Sequence, residues 1–140
     1  MVINSSALSV PDYCETHHEE AWLTNVTAVE QLAHLCESYK SRFIHLSTDF
    51  VFDGKIDEKS GQLYTEETLP APVNYYGFTK WKGEEKVAEI CSNYAIARVE
   101  IVYGKALPGQ HGNIVQLVMN RLNAGQEIRV VSDQWRTPPM

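Results

Sequence analysis

The chain has 140 residues, a length that suits one domain with a modest core. Hydrophobic residues make up 44% and charged residues 21%, the proportions of an ordinary soluble globular protein. The formal net charge of -6 at pH 7 argues against general binding to a nucleic-acid polymer or an anionic membrane, because both require a positive surface. A local site for a small phosphate-bearing ligand remains compatible with this charge.

Targeting signals and disulfides are also not expected. The first ten residues lack the basic and apolar regions of a signal peptide, and no stretch approaches the roughly 18 apolar residues needed to span a membrane. The three cysteines, Cys14, Cys36 and Cys91, are far apart and form no Cys-x-x-Cys motif. The sequence therefore predicts reduced thiols in a cytoplasmic protein.

Strands and helices are predicted to alternate along the first half of the chain. Val2 and Ile3 form a strand stub, and residues 15–40 show the apolar periodicity of a helix. Residues 42–46 are a short apolar run that predicts a buried strand, with Ser47 and Thr48 at its carboxyl end. The polar segment 53–68 is then expected to be an exposed loop.

The same alternation continues in the second half. Asn74 can cap a helix that runs to about residue 92, and residues 94–102 are rich in β-formers. A turn is expected at residues 108–111, followed by a helix over 113–124 and a last short strand over 128–131. The inward face of that last helix is predicted to consist of Ile114, Leu117, Val118 and Leu122. This order predicts an α/β protein with an incomplete Rossmann-like, doubly wound parallel sheet and helices on both faces.

Tyr76 and Lys80 are the first candidate catalytic pair. Their spacing of four places both side chains on one face of the predicted helix. A nearby ammonium favours the phenolate and is expected to lower the pKa of the tyrosine, which could then act as a general acid or base. Alone the pair is a weak signal, because an exposed Tyr and Lys at this spacing arise readily by chance.

The segment Ser47-Thr48-Asp49 strengthens this interpretation. It directly follows the predicted strand, and ligands of open parallel sheets bind outside the carboxyl ends of the strands. The doublet His17-His18, by contrast, predicts no metal site, because adjacent helical residues point about 100° apart. We therefore expect catalytic hydroxyls and no metal.

The motifs together resemble the extended short-chain dehydrogenase/reductase superfamily, and within it the dTDP-4-dehydrorhamnose reductases. The residues that carry the resemblance are Ser-Thr-Asp-Phe-Val-Phe-Asp-Gly at 47–54, Pro-Val-Asn-Tyr-Tyr-Gly-Phe-Thr-Lys at 72–80, Asn-Ser-Ser-Ala at 4–7, Gly83-Glu84, Arg98 and Val-Tyr-Gly at 102–104. The resemblance implies NADH- or NADPH-dependent reduction of a nucleotide-activated 4-keto sugar. It also allows a homodimer.

The resemblance also implies roles for individual residues. Tyr76 would donate a proton to the keto oxygen, Lys80 would lower the pKa of that tyrosine and bind the nicotinamide ribose, and Thr48 would hold the keto oxygen. The implied cofactor-binding residues are Asn4, Ser5, Ser6, Ala7, Asn25, Ser47, Tyr76 and Lys80. The implied substrate-binding residues are Ser9, Asp49, Phe50 and Ile101.

The sequence departs from the family pattern in two respects. It contains no Gly-x-x-Gly-x-x-Gly phosphate-binding turn, so we expect residues 1–140 to be one partial NAD(P)-binding domain from the middle of a longer enzyme, with residues 105–140 leading into the substrate lobe. The Gly-rich N-terminal βαβ unit and most of the C-terminal lobe would then be absent, and the piece alone would be inactive and poorly soluble. Phe50 and Ile101 stand where the family usually has tyrosine and tryptophan.

These departures keep two alternatives open. One is a non-catalytic subunit that binds NAD(P) or a nucleotide sugar, and it is motivated by Phe50 and Ile101. The other is a sugar epimerase or dehydratase on the same scaffold, because such enzymes share the Tyr-x-x-x-Lys motif. Product analysis would separate the second alternative from a simple reductase.

Overall fold

The computed structural model describes residues 1–55, 64–102 and 113–129. The chain divides into two compact units, Met1–Val99 and Glu100–Met140. The first unit contains a parallel sheet and its helices, and the described part of the second contains one helix. The assignment of residues 105–140 to a substrate lobe stays a prediction.

Three strands of the first unit form a parallel sheet. They are β1 (Val2–Asn4), β2 (Phe43–Thr48) and β3 (Tyr94–Val99), and β2 lies between the other two. Asn4 pairs with His45, and Thr48 pairs with Val99, so β2 and β3 end together. The predicted parallel α/β fold is confirmed, while β3 is three residues shorter than the predicted 94–102.

The helices of this unit are α1 (Pro11–Cys14), α2 (His18–Trp22), α3 (Ala28–Ser38) and α4 (Tyr75–Ile90). Helices α3 and α4 pack against the sheet through one apolar cluster. Its buried members are Val29, Ala33, Cys36, Phe43, Val87 and Cys91. All three cysteines are buried and free, as the sequence predicted.

Helix α2 joins α3 through a wider turn, Leu23–Thr27, which we call the π-turn because its hydrogen bonds span five residues. The prediction of one helix over residues 15–40 is therefore wrong in detail. The helical segment begins at His18, contains the π-turn, and ends at Ser38. A π-turn inserts one extra residue into the helix, and here it places the Asn25 side chain inward, fully buried.

Helix α4 agrees closely with its prediction. The side chain of Asn74 accepts a hydrogen bond from the backbone N–H of Gly77 at 2.7 Å, as an N-cap does. At the same end, a Glu15 carboxylate oxygen accepts from the backbone N–H of Tyr75 at 2.6 Å. Two side chains thus satisfy donors that the first helical turn leaves free.

The second unit contains α5 (Ile114–Asn123), capped by the Asn113 side chain. The predicted inward apolar face of this helix is wrong for the structure described, since Ile114 is 44% exposed and Leu122 is 64% exposed. The apolar face has no covering element within the described part of this unit. Some predicted features lie outside the described residues. They are the turn at 108–111, Tyr103 and Gly104, Val130 and Val131 of the last strand, and positions 56–63 of the loop.

None of the helices described here is both long and apolar enough to cross a bilayer. Across residues 1–55, 64–102 and 113–129, no three potential metal-ligating side chains come together. His17 stacks on Tyr13, and His18 stacks on Tyr75, so the two histidines of the doublet pack against different partners.

Candidate active site

Tyr76 lies in the first turn of α4 and is 8% exposed. It packs in a small cluster with buried Cys14 and Ala21, which Leu8 and Phe50 surround. The Phe50 ring meets the Tyr76 ring edge to face, with centroids 5.7 Å apart. Phe50, predicted to contact substrate, therefore also supports the ring of the catalytic candidate.

Thr48 is the last residue of β2 and leads into a short 3₁₀ turn, Asp49–Val51. A side chain at Gly77 would collide with the Phe50 carbonyl, so only glycine lets this turn lie directly against α4. The close approach brings the Thr48 hydroxyl near enough to the Tyr76 phenol to lower its pKa. The structure thus joins two residues that are 28 positions apart in sequence and that the sequence had assigned to one site.

Thr48 itself has a fixed orientation. Its hydroxyl donates to an Asp49 carboxylate oxygen at 3.1 Å and accepts from the backbone N–H of Phe50 at 3.3 Å. Asp49 is half-buried beside it. The three groups form a polar strand end directly in front of Tyr76.

The pKa of Tyr76 is raised above its ordinary value, contrary to the expectation that Lys80 lowers it. Burial is the main cause, since it disfavours the phenolate. The nearby Thr48 hydroxyl opposes this shift, while the Asp49 carboxylate adds to it. The Tyr76 hydroxyl is therefore protonated near neutral pH, as a proton donor must be.

Lys80 lies one helical turn after Tyr76 and is 1% exposed. Its amine donates to the Leu46 carbonyl at 2.7 Å and lies 3.3 Å from Nε2 of His45. Burial lowers the pKa of Lys80 to about 8, and the Glu84 carboxylate opposes that shift. The lysine is thus anchored to β2, which accounts for its failure to lower the pKa of the tyrosine.

His45 is a site residue to which the sequence analysis assigned no role. It lies on β2, two residues before Ser47 and therefore on the same face of the sheet. Its ring is fully buried and has Asn4 on one side and Lys80 on the other. The sequence contained one signal for this role. A histidine stands within an apolar strand, two residues before a predicted site serine and therefore on the same face.

Asn25 connects the π-turn with two other parts of the site. Its amide oxygen accepts from the Leu8 N–H at 2.9 Å, and its amide nitrogen donates to the Leu8 carbonyl at 3.1 Å and to Thr79 Oγ1 at 3.0 Å. Thr79 in turn donates to the Tyr76 carbonyl at 2.9 Å. Asn25 therefore ties the loop after β1 to the catalytic helix.

The other predicted cofactor residues lie on that loop or at the end of β2. Asn4 is buried, and its side-chain oxygen accepts from the Ser6 N–H and hydroxyl at 3.1 and 2.7 Å. Ser5 and Ser6 are exposed, and Ala7 is half-buried. Ser47 is 4% exposed, and its hydroxyl has no hydrogen-bond partner among the residues that the structure describes, which leaves a polar group available to a ligand at the strand end.

The predicted substrate residues are not all brought together. Ser9 is exposed beside Leu8, and Asp49 and Phe50 lie next to Thr48 and Tyr76. Ile101 is half-buried in the second unit, so its role stays a prediction.

Behind the site, Glu84 is 4% exposed and pairs with Arg98 of β3. The guanidinium Nη2 lies 2.7 Å from one carboxylate oxygen, and Nε contacts both oxygens at 3.1 Å. This bidentate ion pair fixes α4 to β3. The Arg98 guanidinium also lies 5.2 Å from the centre of the Phe52 ring.

Two curated relatives align with almost the whole chain. A probable low-salt glycan biosynthesis reductase from Haloferax volcanii is 38% identical over 99% of this chain and 45% of its own length. The dTDP-4-dehydrorhamnose reductase of Escherichia coli is 32% identical over 99% of this chain and 44% of its own. The chain thus spans slightly less than half the length of the relatives it matches.

Solved structures agree with this alignment. A dTDP-4-dehydrorhamnose reductase ortholog from Clostridium acetobutylicum superposes with a TM-score of 0.82 at 32% identity, covering 95% of this chain and 44% of its own. The reductase from Bacillus anthracis, solved in complex with NADP, gives a TM-score of 0.77 at 31% identity over 89% of this chain and 41% of its own. The predicted Rossmann-like class and the predicted cofactor type are in line with both.

A protein-family model matches the full sequence. It is described as the RmlD substrate binding domain and matches residues 1–140. The family that the motifs at 47–54 and 72–80 indicated is therefore confirmed, and the chain belongs to the RmlD substrate binding domain family.

Proposed function

We propose that the complete protein reduces the keto group of a nucleotide-activated 4-keto sugar with NADH or NADPH. The observation that carries the proposal is the proximity of the Thr48 hydroxyl to the buried Tyr76 phenol at the carboxyl end of β2, where the hydroxyl affects the pKa of the phenol. A keto oxygen that meets both hydroxyls is held and protonated by neighbouring groups. Relatives named as reductases of dTDP-4-dehydro sugars support the substrate class.

The protonation state of Tyr76 supports the direction of the reaction. Reduction of a carbonyl needs a proton at oxygen, and burial keeps the Tyr76 phenol protonated. The Thr48 hydroxyl donates to Asp49 in the structure, and to hold a keto oxygen it would turn that proton from Asp49 to the substrate. The bound nicotinamide would supply the hydride.

The residues around the site fit a nicotinamide cofactor at the strand end. The buried Ser47 hydroxyl lacks a partner within the described part of the chain, and the exposed Ser5 and Ser6 lie on the loop after β1. Lys80 would bind the nicotinamide ribose, and Asn4 and Asn25 would hold the loop in place through Ser6 and Leu8. We assign Ser9, Asp49 and Phe50 to the substrate side.

The test is a Tyr76→Phe variant of the complete protein, assayed for NAD(P)H oxidation with dTDP-4-dehydro sugars. Removing the phenolic hydroxyl removes the proton donor and is expected to lower kcat by about 10²- to 10⁴-fold. Tyr75→Phe is the matched control, because Tyr75 directly precedes Tyr76 on the same helix and its ring stacks on His18. Turnover of Tyr76→Phe equal to that of the control would contradict the proposal.

A further inference from the structure

The buried imidazole of His45 lies between two site residues. Its Nε2 is 3.3 Å from the Lys80 amine, and its Nδ1 is 3.2 Å from the Asn4 side-chain nitrogen. All three side chains are at most 5% exposed. They belong to β1, β2 and α4, so the ring lies at the junction of three elements.

The orientation of Asn4 determines which ring nitrogen carries the proton. The Asn4 oxygen accepts from the backbone N–H of Ser6, which can only donate, and from the Ser6 hydroxyl. The Asn4 NH₂ group must therefore face the His45 ring and donate to Nδ1. A neutral imidazole that accepts at Nδ1 carries its proton on Nε2, which faces Lys80.

This tautomer makes Lys80 the acceptor of the contact. An ammonium has no lone pair, whereas a neutral amine accepts one hydrogen bond and can still donate to the Leu46 carbonyl. Because the pKa of Lys80 is about 8, this hydrogen bond from His45 forms above about pH 8, where the amine is mostly neutral. The charged groups nearby are Glu84 on α4 and Arg98 on β3, and they neutralise each other in a bidentate pair. Burial and the neighbouring lysine lower the pKa of His45 to about 3, so the ring is neutral at physiological pH.

We propose that His45 is a positioning residue that holds the neutral Lys80 amine in place, with Asn4 fixing the ring in its Nε2–H tautomer. The Leu46 carbonyl and His45 are then two fixed points for a long side chain that otherwise has many rotamers. A lysine held in this way is already oriented for a ligand at the strand end. The effect of this arrangement on catalysis rests on the function proposed above, whereas the contact between His45 and Lys80 does not depend on that function.

The contact is tested without any assay of turnover. Nitrogen-15 NMR of labelled histidine in the wild-type protein at about pH 9, where the Lys80 amine is mostly neutral, should show His45 neutral with its proton on Nε2. Asn4→Asp gives Nδ1 an acceptor and should move the proton to Nδ1. A wild-type ring protonated on Nδ1, or one that titrates between about pH 6 and pH 7, would overturn the proposal.

Kinetics test the consequence for Lys80. At about pH 9, His45→Phe, which removes both ring nitrogens, should lower kcat by about tenfold or more and raise the KM for NAD(P)H, because the lysine loses its alignment. His45→Gln, which keeps a polar group in reach, should recover part of both losses. His34→Phe, at an exposed position of α3, is the matched control.

The outcomes separate the two proposals. If the wild type is active and His45→Phe matches the control in kcat and KM, the positioning role is wrong while the reductase function stands. If His45→Phe fails to fold, the split between kcat and KM in His45→Gln decides. If the wild type reduces no keto sugar, the proposed function fails, and the NMR result alone decides the role of His45.

Discussion

The buried lysine of the site makes stability depend on pH in a direction opposite to that of a paired surface lysine. Lys80 has a pKa of about 8 in the folded chain, against an ordinary value of about 10.4 in an unfolded one. Between these two values the unfolded chain binds more protons, so the contribution of Lys80 to stability rises as the pH increases. Below about pH 8 the folded protein carries the full penalty of a buried ammonium.

The variant Lys80→Met isolates this effect. Relative to it, the wild type should gain about 2 kcal/mol of unfolding free energy between about pH 7 and pH 9.5. The measurement is urea denaturation of both proteins at several pH values in that range. Lys82→Met is the matched control, since the Lys82 amine pairs with Glu85 at 2.7 Å on the same helix. A wild-type advantage that stays constant with pH, or an equal slope in the control, would contradict the prediction.

At the scale of elements, the position of α4 depends on close contact with the π-turn. A Cβ at Gly83 would lie 2.5 Å from the Asn25 carbonyl oxygen, a backbone atom that cannot easily move. The same approach places Thr79 within reach of the Asn25 amide. Helix α4 can therefore present Tyr76 and Lys80 only at this distance from the π-turn.

Gly83→Ala should destabilise the protein by about 1 to 3 kcal/mol, because the helix must shift to relieve the contact. A loss of stability would be informative, because alanine stabilises an exposed helix position by about 1 kcal/mol relative to glycine. Ala88→Gly, at an exposed position of the same helix, measures that intrinsic term alone. Thermal unfolding of both variants is the measurement, and a Gly83→Ala protein as stable as the wild type would refute the argument.

The elements that could be predicted from the sequence are those defined by signals within a few residues of one another. The Asn74 cap and the apolar periodicity defined α4 to within two residues, because both act within a few positions. The π-turn could not be predicted, because the bonds from Asn25 to Leu8 and Thr79 join residues 17 and 54 positions apart. The hydrogen bond from Lys80 to the Leu46 carbonyl could not be predicted for the same reason, since the two residues are 34 positions apart.

At the scale of the whole molecule, β1 is the edge of the described sheet. Its one hydrogen-bonded neighbour among the described strands is β2, and Val2 and Ile3 are 37% and 57% exposed. An exposed strand edge that carries apolar side chains is a template for pairing with another chain. We therefore expect this 140-residue chain to self-associate through β1.

Ile3→Lys should shift the chain towards monomer, because a charged side chain on an edge strand disfavours pairing. Analytical ultracentrifugation over a range of concentrations is the measurement. Leu35→Lys removes a similarly exposed apolar residue from α3 and serves as the control. Equal self-association of the Ile3→Lys and wild-type chains would show that β1 is not the contact.

The hydrogen bonds that build the site also determine when it can form during folding. Asn4 and His45 are 41 positions apart, His45 and Lys80 are 35 apart, and Asn25 and Thr79 are 54 apart. Each contact closes a long loop, so its entropy must be overcome before the contact contributes any stability. Local helices such as α4 can form early, but Lys80 reaches His45 only after β2 is in place beneath it. Assembly of the site is therefore a late event, and a collapsed chain with native helices still lacks it.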